Sequence, residues 1–272
     1  MLEQFKYVNH LREVVEFGKD GIFANYNDLR DYQWSFFKVN GKISRFTKEI
    51  VSKKLPIIIQ APTEAEAIAI KNRLFEVIEK DVLSGKYGMI VIGRYYYRCY
   101  ITASKKSEYL ISKRHLRVDL TVSSDCPVWV KETEVNFNTA TASDGGLNFP
   151  HDYAFDFTNL MNVQNVNNTS FAGCNFRMVI YGACVNPTIV IGGNTYQVNC
   201  TVESGQYLTI DCAAKKVYLT KANGETVNQF NNRNKSYYIF EPIKPGINAV
   251  SWTGDLKFDV ILLDERGEPK WN

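Results

Sequence analysis

The chain has 272 residues, 45% of them hydrophobic, and a formal net charge of +3. This composition is typical of a globular protein with room for two domains, and no apolar run reaches the length of a membrane-spanning helix. The first six residues lack the basic-then-apolar order of a secretory signal, so we expect synthesis in a reducing cytoplasm.

The charge is unevenly distributed. Residues 1–135 contain 22 Lys and Arg against 17 Asp and Glu, whereas residues 136–272 contain 10 against 12. Within the first half, residues 86–117 contain eight cations and one anion, Glu108. Such an excess is either a solvated outer face or a surface that meets an acidic protein or nucleic acid.

Residues 1–60 predict a series of short strands separated by turns. The apolar run 34–39 ends at Asn40-Gly41, a strong tight-turn signal, and 42–50 is expected to return antiparallel. Residues 55–60 read as a buried strand.

One helix is predicted after this strand. Thr63 is placed to cap it, Glu66 completes a capping box, and Gly85 is a plausible terminator. An apolar stripe at helical spacing indicates that the helix covers a sheet. The stripe consists of Ala67, Ile70, Leu74, Val77 and Ile78.

A β-hairpin is predicted next, from 89–92 through Gly93-Arg94 into 95–104. Its second arm carries tyrosines on both faces, which indicates a core on one side and a neighbouring chain on the other. The run 116–122 alternates as a half-buried strand does.

The two halves meet at a small, polar, glycine-ended stretch, Asn138–Gly146, which predicts a surface connection. The aromatic block 149–157 after it predicts the first strand of a second domain. From Asn175 onward, turn signals fall every ten to twelve residues and predict roughly eight strands, enough for a sandwich, with 237–240 among them. The prediction is therefore a mainly β fold with domains at 1–135 and 136–272; one large β-rich domain is the alternative.

No catalytic, cofactor-binding or metal-ligating residues are predicted. The sequence contains no nucleophile elbow, phosphate loop, zinc-protease or dinucleotide motif, and its six cysteines and three histidines lack zinc-site spacing. A carbohydrate-binding sandwich remains the alternative function, with Trp252 and Trp271 as available aromatic residues.

Several short motifs in order resemble the distal tail (Dit) proteins of long-tailed, non-contractile phages and their prophages. The resemblance covers nearly the whole chain. It rests on Ser44-Arg45-Phe46, Gly88–Ile92, Tyr97–Tyr100, Asp125–Trp129, Phe149–Phe157, Ile180-Tyr181-Gly182, Asn186-Pro187, Tyr207–Asp211, Pro245–Asn248 and the closing Arg266, Pro269, Lys270 and Trp271.

The resemblance implies a non-enzymatic, structural virion protein at the phage tail tip, assembled in the host cytoplasm. It implies a ring-forming N-terminal (belt) domain and a galectin-like C-terminal β-sandwich. The implied ring, usually a hexamer, is a baseplate hub that joins the tail tube protein to the tail-tip hub protein and can carry a receptor-binding adhesin. DNA would pass through its lumen only in transit, and no cofactor or membrane is involved.

Overall fold

The computed structural model describes residues 4–24, 26–107, 113–138 and 162–271. Most of the predicted connection Asn138–Gly146 and the whole predicted strand 149–157 lie outside these residues. The described chain is mostly β, with antiparallel sheets and one α-helix, which confirms the predicted fold class.

The chain divides into two compact units. The first contains residues 1–131 and 265–272, and the second contains residues 132–264. The chain passes from the first unit to the second within one strand and returns within its last strand. It remains a prediction that residues 1–135 and 136–272 are two domains that fold and act separately.

The first unit is built from antiparallel strands and the helix α1 (Glu64–Ser84). One sheet runs in the order β2-β1-β7-β8-β10, and β8 also pairs with β9, which leads to β6 and β3. The strands are β1 (Phe5–Val8), β2 (Val14–Phe17), β3 (Ile22–Ala24), β4 (Ser35–Val39), β5 (Lys42–Thr47), β6 (Val51–Gln60), β7 (Gly88–Ile92), β8 (Tyr95–Ser107), β9 (His115–Ser124) and the start of β10 (Trp129–Phe137).

Helix α1 forms as the sequence predicts. The Thr63 side chain accepts a hydrogen bond from the Glu66 backbone, the Glu66 carboxylate accepts one from Thr63, and Gly85 ends the helix in the left-handed conformation. Only glycine adopts that conformation without a Cβ penalty. The predicted stripe is buried at Ala67, Leu74, Val77 and Ile78, so the helix lies on the sheet through that face.

The second unit is a sandwich of two antiparallel sheets around one core. One sheet has the order β19-β18-β17-β12-β21-β10 and the other β11-β20-β14-β15. Buried side chains from both sheets, including Phe176, Ile189 and Phe258, form this core. The strands are β11 (Asn162–Asn168), β12 (Asn175–Tyr181), β13 (Cys184–Val185), β14 (Thr188–Ile191), β15 (Asn194–Gln197), β16 (Thr201–Val202), β17 (Tyr207–Asp211), β18 (Lys216–Thr220), β19 (Thr226–Asn228), β20 (Gly246–Trp252) and β21 (Lys257–Arg266).

One predicted strand is wrong, and several observed strands, among them β11, were not predicted. Residues 237–240 form turns instead of a strand. Ile239 and Phe240 are nevertheless buried in the core, because burial of a side chain does not require its backbone to pair with a neighbouring strand. Conversely, β11 has the polar sequence NVQNVNN yet pairs with β20 along its whole length. Its strand conformation comes from that pairing, since its composition carries no apolar alternation.

Candidate interaction surface

The first unit carries a β-hairpin that stands apart from its sheets. Strands β4 and β5 pair in the described chain only with each other. They join through Asn40 and Gly41 at φ +52° and +76°, the two left-handed residues that a two-residue hairpin turn requires. The predicted turn is thereby confirmed. We call residues 34–48 the aromatic hairpin.

The aromatic hairpin exposes large apolar side chains on both of its faces. Phe36 lies opposite Phe46, and Phe37 lies opposite Arg45 on the other face. The exposed fractions of Phe36, Phe37 and Phe46 are 47%, 51% and 58%. Trp34 packs edge-on against Phe46 at 6.4 Å between ring centroids. An isolated two-stranded hairpin is marginally stable in water, and a contiguous exposed apolar patch marks an interaction surface.

Cations accompany the aromatic rings of this hairpin. The Arg45 guanidinium lies 4.7 Å from the centroid of the Phe37 ring, and the Lys48 ammonium lies 4.6 Å from that of Trp34. Partial burial lowers the pKa of Lys48. Residues 34–48 contain four Lys and Arg and no Asp or Glu. Because aromatic residues and Arg are enriched at protein interfaces, the hairpin suits an apolar partner surface with acidic groups.

The tyrosine strand β8 is covered more fully by its own chain than its sequence indicates. Tyr95 and Tyr97 are buried in the core. On the opposite face Tyr100 is half-buried and its hydroxyl donates to the Gly85 carbonyl at 3.1 Å, while Arg98 lies over the Tyr87 ring. The larger exposed aromatic surface is therefore the hairpin. The sequence signal that could have identified this surface is the adjacent pair Phe36-Phe37, which places an apolar side chain on each face of the strand.

The cations of the basic segment 86–117 largely face solvent. Seven of its eight cations are exposed, and several are held by local contacts. Lys113 pairs with Glu64 at 2.8 Å, and Arg114 donates to the Pro62 carbonyl. The excess positive charge thus remains at the surface of the first unit.

A buried polar cluster links α1 to β1. The Asp81 carboxylate is fully buried and accepts hydrogen bonds from the Tyr7 hydroxyl and, at 2.9 Å, from the His10 backbone N–H. Burial, and then the hydrogen bond to Asp81, raise the pKa of Tyr7. A Cβ at Gly88 would overlap both Tyr7 and Asp81, so only glycine fits there. Sequence reasoning missed Asp81, which sits in the last turn of a charged helix.

The residues considered for sugar binding do not form a platform. Trp252 is fully buried and packs against Phe137 and Phe258, so its availability to a ligand was wrongly predicted. Trp271 is 72% exposed, and the Arg30 guanidinium lies 3.9 Å from its ring centroid. This contact holds the chain end in the first unit, as does the hydrogen bond from Arg30 to the Pro269 carbonyl.

Within the described ranges, no three His, Cys, Asp or Glu side chains are grouped so that they could hold a metal ion. All six cysteines are described and unbridged; Cys99, Cys174 and Cys212 are buried, and the other three are partly exposed. Among the residues that the structure describes, no helix is long and apolar enough to cross a membrane.

No family model and no curated protein matches the sequence. Solved structures do match over nearly the whole chain. The matched structures come from a hub adsorption apparatus and a baseplate of phages.

One of these matches is a Dit protein, and the fold of this chain is similar to its fold. The crystal structure of SPP1 Dit (gp 19.1), from the hub adsorption apparatus of phages that infect Gram-positive bacteria, matches with a TM-score of 0.58 and 11% identity over 96% of this chain and 99% of that chain. The phage P2 baseplate, activated with Ca, matches with a TM-score of 0.58 and 13% identity over 99% and 100%. The Sr form gives a TM-score of 0.55 and 12% identity over 95% and 97%. The predicted resemblance is confirmed at the level of fold.

Proposed function

We propose that this chain is a structural component of a phage tail tip, a Dit-like hub protein that forms a ring. The observation that carries the proposal is the fold match, which covers at least 95% of this chain and of each of the three matched chains. Fold alone does not define a function, since one fold can host many. The exposed aromatic hairpin adds a second, independent indication that the protein works in an assembly.

A ring requires a contact between two different surfaces of neighbouring subunits, repeated until it closes. The aromatic hairpin would supply one of these surfaces, because it forms a separate two-stranded sheet with exposed apolar side chains on both faces. A neighbouring subunit that receives the hairpin would cover both faces at once. The resemblance to Dit supports six subunits.

The ring would join the tail tube protein to the tail-tip hub protein, with an adhesin as a further partner, and act in the virion after assembly in the host cytoplasm. DNA would cross its lumen without a binding site, because tight phosphate contacts would retain the genome. The exposed cations of 86–117 are therefore assigned to protein partners. The function proposed is mechanical and architectural, and no reaction is assigned to it.

The alternative, a carbohydrate-binding module that acts alone, predicts small monomers. Its expected platform residue Trp252 lies in the core, which weakens it.

Negative-stain microscopy and mass photometry of the full chain distinguish the two functions. We expect closed rings with a central hole. Monomers alone at micromolar concentration would contradict the hub. The full chain is the right sample because a cut at residue 135 removes 265–272 from the first unit, where Arg30 hydrogen-bonds to Pro269.

A further inference from the structure

The second unit contains a cleft that the proposed hub function does not use. It is an open cleft of about 630 Å³ between the turn before β18 and the segment that follows the 3₁₀ turn Phe230–Asn232. We call it the basic cleft. It is lined by Lys215, Phe230, Arg233, Lys235, Ser236, Tyr237, Tyr238 and Phe240.

The charge of the basic cleft is opposite to that of the unit around it. Residues 132–264 contain eight Lys and Arg against twelve Asp and Glu, a net charge of −4. Three of those eight cations line this one cleft, and no carboxylate does. Across the described residues, none of these three cations forms a salt bridge. Unneutralised cations gathered on an acidic unit indicate an anionic ligand.

Aromatic faces lie beside these cations. The Arg233 guanidinium is 3.9 Å from the centroid of the Phe230 ring, and the Lys215 ammonium is 5.5 Å from that of Tyr238. Tyr237 and Tyr238 are 45% and 56% exposed. The cleft therefore offers flat apolar faces and positive charges within reach of one another, which suits a ligand that has both ring faces and anionic groups.

Hydrogen bonds to backbone carbonyls hold two of the three cations in place. Lys215 donates to the Phe240 carbonyl at 3.2 Å, and Arg233 donates to the Phe230 carbonyl at 2.6 Å. Arg233 has further guanidinium N–H groups, which can bind a phosphate or carboxylate in a bidentate manner. The exposed Lys235 side chain lines the same cleft.

From this arrangement we propose that the basic cleft binds a negatively charged glycan. Its sugar rings lie on Tyr237 and Tyr238, and its phosphate or carboxylate groups bind Lys215, Arg233 and Lys235. A neutral sugar would leave the cations without a partner. A single-stranded nucleic acid is disfavoured, because its closely spaced phosphates require a basic groove several nucleotides long, whereas this cleft has three cations on an acidic unit.

Calorimetric titration of the full chain tests this proposal with four probes: phosphorylated dextran, polygalacturonate, neutral dextran and an oligodeoxythymidine. We expect at least one of the two anionic polymers to bind, and which one binds identifies the anionic group. Dextran and the oligonucleotide should give no saturable signal. Raising the salt concentration should weaken the binding.

Variants of the cleft locate the site. Lys235→Gln should weaken binding roughly tenfold, the effect of one lost charge-assisted hydrogen bond, and Tyr238→Ala should weaken it as well. Lys257→Gln, the same charge change on an exposed lysine outside the cleft, should leave it unaltered. Lys235 and Tyr238 are exposed, so these variants should keep the wild-type melting temperature.

The proposal is overturned if neither anionic polymer binds, if binding is the same in the Lys235 and Tyr238 variants as in the wild type, or if the oligonucleotide binds through the same residues. None of these outcomes depends on ring formation. Failure of the glycan proposal can therefore be distinguished from failure of the proposed hub function.

Discussion

Replacing Phe46 with alanine tests whether the aromatic hairpin is the surface through which subunits associate. Phe46 is 58% exposed, and a phenylalanine side chain offers about 200 Å². If a neighbouring subunit covers this side chain, the variant loses about 100 Å² of buried apolar area. At about 25 cal/mol per Å², that loss weakens each subunit contact by about 2.5 kcal/mol, or roughly 70-fold in its dissociation constant.

The entropic cost of association is the same for the wild type and the variant, so it cancels in this difference. Sedimentation velocity over a concentration series measures the shift, and rings should dissociate at concentrations at which the wild type is fully assembled. The monomer should remain folded, because Phe46 makes no contribution to the buried core.

Leu83→Ala is the matched control. Leu83 is 81% exposed on α1, outside the hairpin, and its removal should leave assembly intact. Phe37→Ala, on the opposite face of the hairpin, should act like Phe46→Ala if both faces are covered. Assembly that is equally strong in the wild type and in both hairpin variants would refute the reasoning.

Three further outcomes are expected. Asp81→Leu should lower the free energy of unfolding by at least about 2 kcal/mol, because it leaves the buried Tyr7 hydroxyl and the His10 N–H without their acceptor; a urea midpoint within error of the wild type would contradict this. Burial lowers the pKa of Lys53 from 10.5 to about 8, so the unfolded chain binds more protons between these values, and wild-type stability should rise from pH 8 to 10.5 relative to Lys53→Met; a pH-independent difference would count against it. Limited proteolysis should first cut near 138–146, a small and polar stretch; first cuts within both units instead would not fit two domains.

Local signals in the sequence determined several parts of this protein. The helix begins at Thr63 and ends at Gly85 because capping and chain reversal depend on neighbouring residues. The tight turn at Asn40-Gly41 has the same local origin. The alternating apolar residues of β9 likewise predicted which side chains are buried. The lack of predicted catalytic or metal sites rested on missing motifs and remains a prediction.

Only the tertiary structure decided the rest. Asp81 is buried because Tyr7 and His10, more than 70 residues away in sequence, supply its hydrogen bonds. The aromatic hairpin carries large apolar side chains of the kind found in cores, yet in the described chain Phe36, Phe37 and Phe46 remain about half exposed. The three cations of the basic cleft come from two distant segments, the turn before β18 and residues 233–235, which only the folded sandwich brings together. In each case the environment of a side chain depends on residues distant in sequence, and a local pattern carries no information about them.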